Sequence, residues 1–186
     1  MRSASLHGVV VTAVLALVLG ACATHAPSPR AGSQASSGPP AEVRVEFVAP
    51  EHFTDIGEKF PGSTKRRDSN LDELRQHIEE RAQRVLAEGQ SLRVSITDID
   101  MAGRTEPWHP RLWDTRIVRD IYSPRIALRF ELADAQGTVL GTGERSLHDS
   151  AFMSRGRGGY INDPLRYEKA LLDDWIEREF GAARRG

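Results

Sequence analysis

Two aspartates on a predicted strand have a spacing that indicates chemistry. Asp98 and Asp100 lie two positions apart after a run of alternating apolar and polar residues. Such neighbours point to one face of a strand, about 6.6 Å apart along the chain, where carboxylates can perform acid–base catalysis or bind a hard cation. A hard cation takes about six or more oxygen ligands, and the nearby sequence adds only Thr97. Ion pairs with arginines such as Arg116 or Arg125 are therefore the favoured interpretation.

A metal-assisted hydrolase is the alternative hypothesis for this carboxylate pair. It requires Asp98 and Asp100 to share a pocket with His52, His109 or His148. No two histidines have the spacing of a metal motif, and a single cysteine excludes a Cys-based zinc site and an internal disulfide. We therefore predict no metal, no cofactor and no catalytic residue.

A second candidate is the segment 107–122, which mixes aromatic and basic residues. Trp, Tyr and Arg carry the hot spots of binding surfaces, and functional residues collect on long loops. The binding candidates are Trp108, His109, Arg111, Trp113 and Arg116. The alternative interpretation is that the tryptophans pack at the edge of the core while the arginines neutralise Asp98, Asp100 and Asp120.

The overall charge excludes one class of partner. The chain has 25 Lys and Arg against 26 Asp and Glu, whereas a general nucleic-acid binder shows a cationic excess or a basic stripe. We therefore predict no nucleic-acid partner. The content of 39% apolar and 27% charged residues is ordinary for a folded domain.

The N-terminal residues have the pattern of a secretion signal. Residues 1–7 carry one arginine, and residues 9–19 are apolar apart from one threonine. These 11 residues span only about 17 Å as a helix, against an apolar membrane layer of about 30 Å, so they indicate a signal peptide. The sequence Leu-Gly-Ala-Cys that ends at Cys22 resembles the lipobox of bacterial lipoproteins.

The lipobox resemblance implies a covalent lipid anchor. In lipoproteins the cysteine thiol receives a diacylglycerol, the signal peptide (here residues 1–21) is removed, and the new amine is acylated by a fatty acid such as palmitate. Several acyl chains on Cys22 would hold the protein at the membrane permanently for practical purposes. Ala23, in place of an aspartate, implies the outer membrane and a periplasm-facing protein. The alternative is an ordinary secretory signal cleaved near Ala21 or Ala23.

The rest of the chain divides into a tether and one domain. Residues 22–42 are the predicted lipidated cysteine and flexible tether, because residues 23–41 contain no large apolar side chain. As a coil these 19 residues span about 22–26 Å. Residues 43–181 are the predicted domain, and residues 182–186 are a tail.

Hydrophobic periodicity predicts an α/β domain. We expect a mixed sheet of about four or five strands and two main helices, in the order β-α-β-(β)-β-β-α, with a parallel βαβ unit first. The first helix should open at Ser69 after a loop at 55–67, and Asp163 should cap the second. A slip in apolar phase predicts a β-bulge near Thr97, and residues 134–137 predict a hairpin turn.

Four stretches resemble an uncharacterised bacterial family. They are residues 47–55, 97–103, 116–126 and 162–180, of which the last is the most specific because it is long and rich in charged and aromatic residues. Together they resemble domain-of-unknown-function family 3016 over nearly all of the predicted domain. The family has no assigned activity, so the resemblance implies no catalytic residue.

These observations predict a lipid-anchored envelope lipoprotein that acts as a non-catalytic binding or accessory module facing the periplasm. Its expected partners are the membrane, through the anchor, and another envelope protein. A metal-assisted hydrolase built on Asp98 and Asp100 and a purely structural lipoprotein remain open as alternatives. The sequence predicts no specific ligand, pathway or oligomeric state.

Overall fold

A four-stranded sheet with two helices on it forms most of the described chain. The computed structural model describes residues 39–56, 63–106, 108, 115–154 and 162–181. The elements are β1 (Glu42–Phe47), a short 3-10 helix (Pro50–His52), α1 (Ser63–Val85), β2 (Ser91–Asp100), β3 (Arg104–Thr105), β4 (Arg116–Ile117), β5 (Arg125–Ala133), β6 (Val139–His148) and α2 (Arg166–Phe180). None of the helices in these ranges is long and apolar enough to cross a membrane.

The sheet is mixed, as the sequence predicts. Its strand order is β1-β2-β5-β6. β1 runs parallel to β2, with Glu42 opposite Ser91 and Phe47 opposite Ile96, which confirms the parallel βαβ unit. β5 and β6 form an antiparallel hairpin, and β5 is also antiparallel to β2. β3 and β4 pair with each other as a separate two-stranded sheet.

Both helices cover the same face of the sheet. Apolar residues at spacings of three and four give each helix one apolar stripe, and alternate residues of the strands meet these stripes. Burying each large side chain stabilises the fold by roughly 1.5–3 kcal/mol. The centre of this core includes Leu74, Ile78, Leu92, Val94, Ile96, Leu128, Phe130, Leu172, Trp175 and Ile176.

The opposite face of the sheet is polar. Arg93 donates to Glu131 across β2 and β5 at 3.2 Å, and Arg129 donates to Glu144 across β5 and β6 at 2.7 Å. Side chains opposite each other on neighbouring strands interact in this way because they share a face. An antiparallel sheet with one solvated face is common, and these exposed pairs contribute little to stability.

Two predicted helix boundaries are wrong, and the predicted bulge is confirmed. α1 begins at Ser63 rather than Ser69, because its first turns are polar and carry no apolar stripe to mark them. α2 begins at Arg166, and Asp163 lies in the preceding turn, where its Oδ1 accepts the Leu165 N–H at 2.7 Å. The ladder between β2 and β5 shifts register on either side of Thr97.

The two ends of the sheet have different neighbours. At the entry end, β1 begins shortly after Pro39, the first described residue, and β5 turns into β6. At the loop end, β2 finishes at Asp100 and the chain continues into β3 and β4. The 10 residues of β2 run from one end to the other, a distance of about 30 Å.

Candidate functional site

The loop end contains most of the residues singled out in the sequence. β3 and β4 pair there in the register Arg104 opposite Ile117 and Thr105 opposite Arg116. Gly103, just before β3, has φ +78°, and a Cβ at this position would lie 2.7 Å from the Ile117 carbonyl oxygen. Only glycine fits this close approach without strain.

Arg116 fastens this loop to the segment that follows β1. Its Nη2 donates to both carboxylate oxygens of Asp55 at 2.8 Å, and its Nη1 donates to the carbonyl oxygens of Gly103 at 2.6 Å and Ala102 at 3.2 Å. A planar guanidinium is suited to this forked arrangement. Arg116, predicted as a binding residue, therefore has a structural role in holding four acceptors together.

Glu106 is a buried carboxylate in the same region. It is 2% exposed and accepts a hydrogen bond from Arg119 Nη2 at 3.0 Å and one from the Tyr122 hydroxyl at 3.5 Å. A buried carboxylate is stable only when it is paired, so these contacts fix the segment that carries Arg119 and Tyr122.

Of the two aspartates predicted to pair with arginines, Asp100 does so and Asp98 binds Thr54 instead. Both carboxylate oxygens of Asp98 accept hydrogen bonds from Thr54, from its N–H at 2.7 Å and its hydroxyl at 2.9 Å. Asp100 is paired with Arg104 at 3.4 Å. The expected ion pair with Arg116 is wrong, because Arg116 binds Asp55.

The surroundings of Asp100 form a small polar cavity of about 160 Å³. Its lining residues are Asp100, Met101, Arg104, Ile121, Tyr122, Ser123 and Arg125. Burial raises the pKa of the Asp100 carboxyl, and the Arg104 guanidinium offsets part of that rise. The charged neighbours of this carboxylate are therefore the guanidinium groups of Arg104 and Arg125 and the carboxyl groups of Asp55 and Asp98.

The histidines within the described ranges have other contacts or lie on the surface. His148 shares a hydrogen bond of 2.7 Å with the Ser123 hydroxyl, and His52 is exposed. Across the described part of the chain, no three His, Cys, Asp or Glu residues come together in a group that could hold a metal ion.

Glu168 on α2 is a residue that the sequence analysis missed. It is 1% exposed, and its Oε1 accepts the Ala102 N–H at 2.7 Å, while its Oε2 has no hydrogen-bond partner. Burial raises the pKa of Glu168, and the Ala102 N–H offsets part of this effect. Its position three residues after Leu165 and three before Leu171, on the apolar stripe of the helix, was the signal that could have identified it.

Trp108 and Ile121 are the most exposed large apolar residues in the part of the chain that the structure describes. They are 71% and 70% exposed. Trp108 follows Glu106 by two residues, and Ile121 lies between Arg119 and Tyr122, the two residues that contact Glu106. Trp108 therefore does not pack at the edge of the core, contrary to the alternative interpretation of this segment.

The remaining predicted site residues cannot be placed in this geometry. His109, Arg111 and Trp113 lie outside the described residues, as does Cys22. Of the five binding candidates, the structure thus describes Trp108, which is exposed, and Arg116, which holds the loop together.

Comparison with known proteins identifies a family and matches among the solved structures. The family model described as "Protein of unknown function (DUF3016)" matches residues 41–178. A solved structure, the dodecamer of a PelC point variant from Paraburkholderia phytofirmans, is 13% identical over 74% of this chain and 88% of that chain, with a TM-score of 0.28. A likeness at that score carries no argument about function. No curated protein matches the sequence.

Proposed function

The chain belongs to the DUF3016 family of proteins of unknown function, and on that premise we propose that it is a lipid-anchored envelope lipoprotein that binds another envelope protein. The proposed anchor is Cys22, acylated in the outer membrane, and the folded domain faces the periplasm. The proposed binding surface is the loop end of the sheet around Trp108 and Ile121. The protein acts as a non-catalytic module.

The observation that supports this proposal most strongly is that Trp108 and Ile121 are exposed on segments whose backbone is fixed by ion pairs. The segments that carry them are fastened by Arg119 to the buried Glu106, and by Arg116 to Asp55. Because such contacts fix the backbone near these side chains, less conformational freedom is lost on binding, which favours affinity. A tryptophan in such a position is typical of a binding hot spot.

The position at which the predicted tether joins the domain also supports this surface. The predicted tether joins the domain at the entry end, beside Pro39, and the loop end lies about 30 Å further along the sheet. A domain held to a membrane at one end presents the other end to proteins in the periplasm.

The contacts of Asp98 and Asp100 favour the binding function over the hydrolase. Asp98 uses both oxygens to hold Thr54, and Asp100 faces Arg104. Each carboxylate thus has a structural partner. The purely structural alternative has no observation in its favour, and the cross-linking experiment below decides between it and a binding function.

Substitution of Cys22 tests the anchor. We expect Cys22→Ser to move the protein from the membrane fraction to the soluble periplasmic fraction, and the intact mass of the wild type to include the lipid and fatty-acid increments. A native mass without acyl groups contradicts the proposed anchor, as does a Cys22→Ser protein that stays in membranes although residues 1–21 have been removed from it.

Chemical cross-linking in intact cells tests the binding surface. We expect the double variant Trp108→Ala/Ile121→Ala to lose a specific cross-linked protein that the wild type captures. Leu140→Ala, which removes an exposed apolar side chain at the opposite end of the sheet, serves as the matched control and should retain it. Identical cross-linked products from all three proteins would reject the loop end as the interface and favour a structural role.

A further inference from the structure

One stretch of the β5–β6 hairpin, residues 135–143 immediately after Asp134, is unusual in the predicted domain because it carries no charged side chain, although the protein has 25 basic and 26 acidic residues among 186. Val139 and Leu140 follow the turn and are each 53% exposed. The hairpin therefore presents two adjacent aliphatic side chains to the outside with no charged neighbour along nine residues.

A register shift in the ladder between β5 and β6 leaves Leu140 exposed without an opposite residue. Leu132 lies opposite Gly141, and Ala133 lies opposite Val139, so Leu140 has no partner on β5. The turn itself is well held, because Asp134 Oδ1 accepts the N–H groups of Gln136 at 2.9 Å and Thr138 at 2.8 Å. The charge of Asp134 is thus used within the turn, and the bulge presents an apolar side chain.

This hairpin lies beside the point where the described chain begins. The Gly89 N–H donates to the Pro39 carbonyl at 2.8 Å. A Cβ placed on Gly89 would be 2.8 Å from the Ala135 Cβ and 4.0 Å from the Pro39 Cγ. Pro39 and Ala135 therefore both lie close to Gly89, and a chain that arrives from Cys22 reaches the domain next to the uncharged hairpin.

We propose that the uncharged hairpin, residues 135–143, rests on the same lipid surface that holds Cys22. The inference rests on the proposed function, because it needs the acyl anchor to bring a membrane near. Cys22 and Pro39 are 17 residues apart, which as a flexible coil corresponds to about 20–25 Å. Such a tether keeps the hairpin at high effective concentration near the membrane.

The chemistry of the hairpin suits the boundary between lipid headgroups and acyl chains. Burying exposed aliphatic side chains there lowers the free energy, and a segment without charges has no ion to desolvate. Two partly exposed side chains do not hold a protein on a membrane alone, so the contact orients a domain that the anchor already retains. The hairpin faces the membrane while Trp108 and Ile121 lie at the opposite end of the sheet.

A second copy of the chain is a less suitable occupant of this edge. β6 is an edge strand, and its regular part runs from Gly141 to His148. When two copies of this part pair antiparallel about a two-fold axis, the two registers with the most paired residues place Glu144 opposite Glu144, or Arg145 opposite Arg145. Like charges directly opposite each other destabilise a strand pair, so the sequence of β6 disfavours pairing with itself.

Spin-label accessibility in proteoliposomes tests the proposal. The full acylated chain with Leu140→Cys is reconstituted in vesicles of phosphatidylethanolamine and phosphatidylglycerol. Cys22 is the one native cysteine, and its thiol is blocked by the lipid, so the label attaches to position 140. Ile121→Cys, at the loop end and 70% exposed, is the matched control. We expect the label at 140 to be several-fold more accessible to oxygen than to a water-soluble nickel complex, and the label at 121 to show the reverse.

The same samples separate this inference from the proposed function. Intact mass and vesicle flotation report whether the chain is acylated and membrane-bound. An acylated, floated protein whose label at 140 is as accessible to nickel as the label at 121 overturns the hairpin contact alone. An unacylated chain that does not float overturns the anchor and, with it, the hairpin contact. Adding Val139→Asp to the Leu140→Cys chain should expose the label to nickel while the protein still floats.

Discussion

The two ends of the sheet are built from different kinds of interaction. At the loop end, three acidic side chains with little exposure are held by arginines: Asp55 by Arg116, Asp100 by Arg104 and Glu106 by Arg119. At the entry end, the β5–β6 turn is closed by backbone hydrogen bonds and one aspartate.

The two ends differ in how much of their stability depends on a single residue. A buried ion that loses its partner costs far more than an exposed polar group does, because the remaining charge stays away from water. We therefore expect the loop end to be sensitive to single substitutions and the entry end to tolerate them. This contrast is consistent with the roles proposed above, in which the loop end holds a binding surface in shape and the entry end lies against lipid.

The largest effect is expected from Arg116→Ala. The substitution leaves Asp55 and two backbone carbonyls without their donor, and we expect a loss of about 3 kcal/mol in the free energy of unfolding, measured by urea titration. Arg44→Ala is the control, since Arg44 forms an exposed ion pair with Glu42, and it should change stability by less than about 0.5 kcal/mol. Equal losses in the two variants would remove the distinction between the ends.

A pair of glycine substitutions compares the two ends directly. Gly103 at the loop end and Gly137 at the entry end both have positive φ, +78° and +81°, but a Cβ on Gly103 meets the Ile117 carbonyl, whereas a Cβ on Gly137 has no atom within 4 Å. We expect Gly137→Ala to cost about 1 kcal/mol from backbone strain alone. Gly103→Ala should cost about 2–3 kcal/mol because the clash adds to the strain. Thermal and urea unfolding measure both, and a Gly137→Ala loss as large as that of Gly103→Ala contradicts the contrast.

The smallest effect concerns pH and Glu168. Because burial raises the pKa of Glu168 above its ordinary 4.5, the folded state binds its proton more tightly than the unfolded state. This group therefore destabilises the fold progressively as the pH rises from about 4.5 to its raised value. Glu168→Gln keeps an acceptor for the Ala102 N–H and removes the titration.

The wild type should therefore lose stability relative to Glu168→Gln as the pH rises through this range. The free energy of unfolding of Glu168→Gln minus that of the wild type should become more positive. Urea titrations at a series of pH values measure the difference. Asp100, whose pKa is also raised, is present in both proteins, so its contribution cancels. A constant difference across the range would mean that Glu168 does not titrate differently on folding.

Most of the fold could be predicted from the sequence because periodicity is a local signal. The alternation of Leu92, Val94 and Ile96 predicts β2, and the slip of phase at Thr97 predicts the bulge that the structure confirms. The start of α1 at Ser63 was missed, since a polar first turn resembles a loop when no apolar residue marks its face.

The contacts of the site were predictable only in part, because they join residues far apart in the chain. That Asp98 and Asp100 share a face followed from strand geometry, but their partners did not. The pairing of Arg116 with Asp55 spans 61 residues and depends on how the segment after β1 returns to the end of β2. Exposure of Trp108 likewise depends on the fold as a whole, since composition fits a buried or an exposed tryptophan equally well.

The parallel pairing of β1 with β2 has a mechanical consequence. Force applied through Pro39, with the opposite end of the domain held by a partner, acts along the strand axis. It loads the six residue pairs that join Glu42–Phe47 to β2 simultaneously, so they resist sliding as a group instead of opening one after another. A domain stretched between a membrane and a partner in this direction carries tension through the shear strength of its first strand.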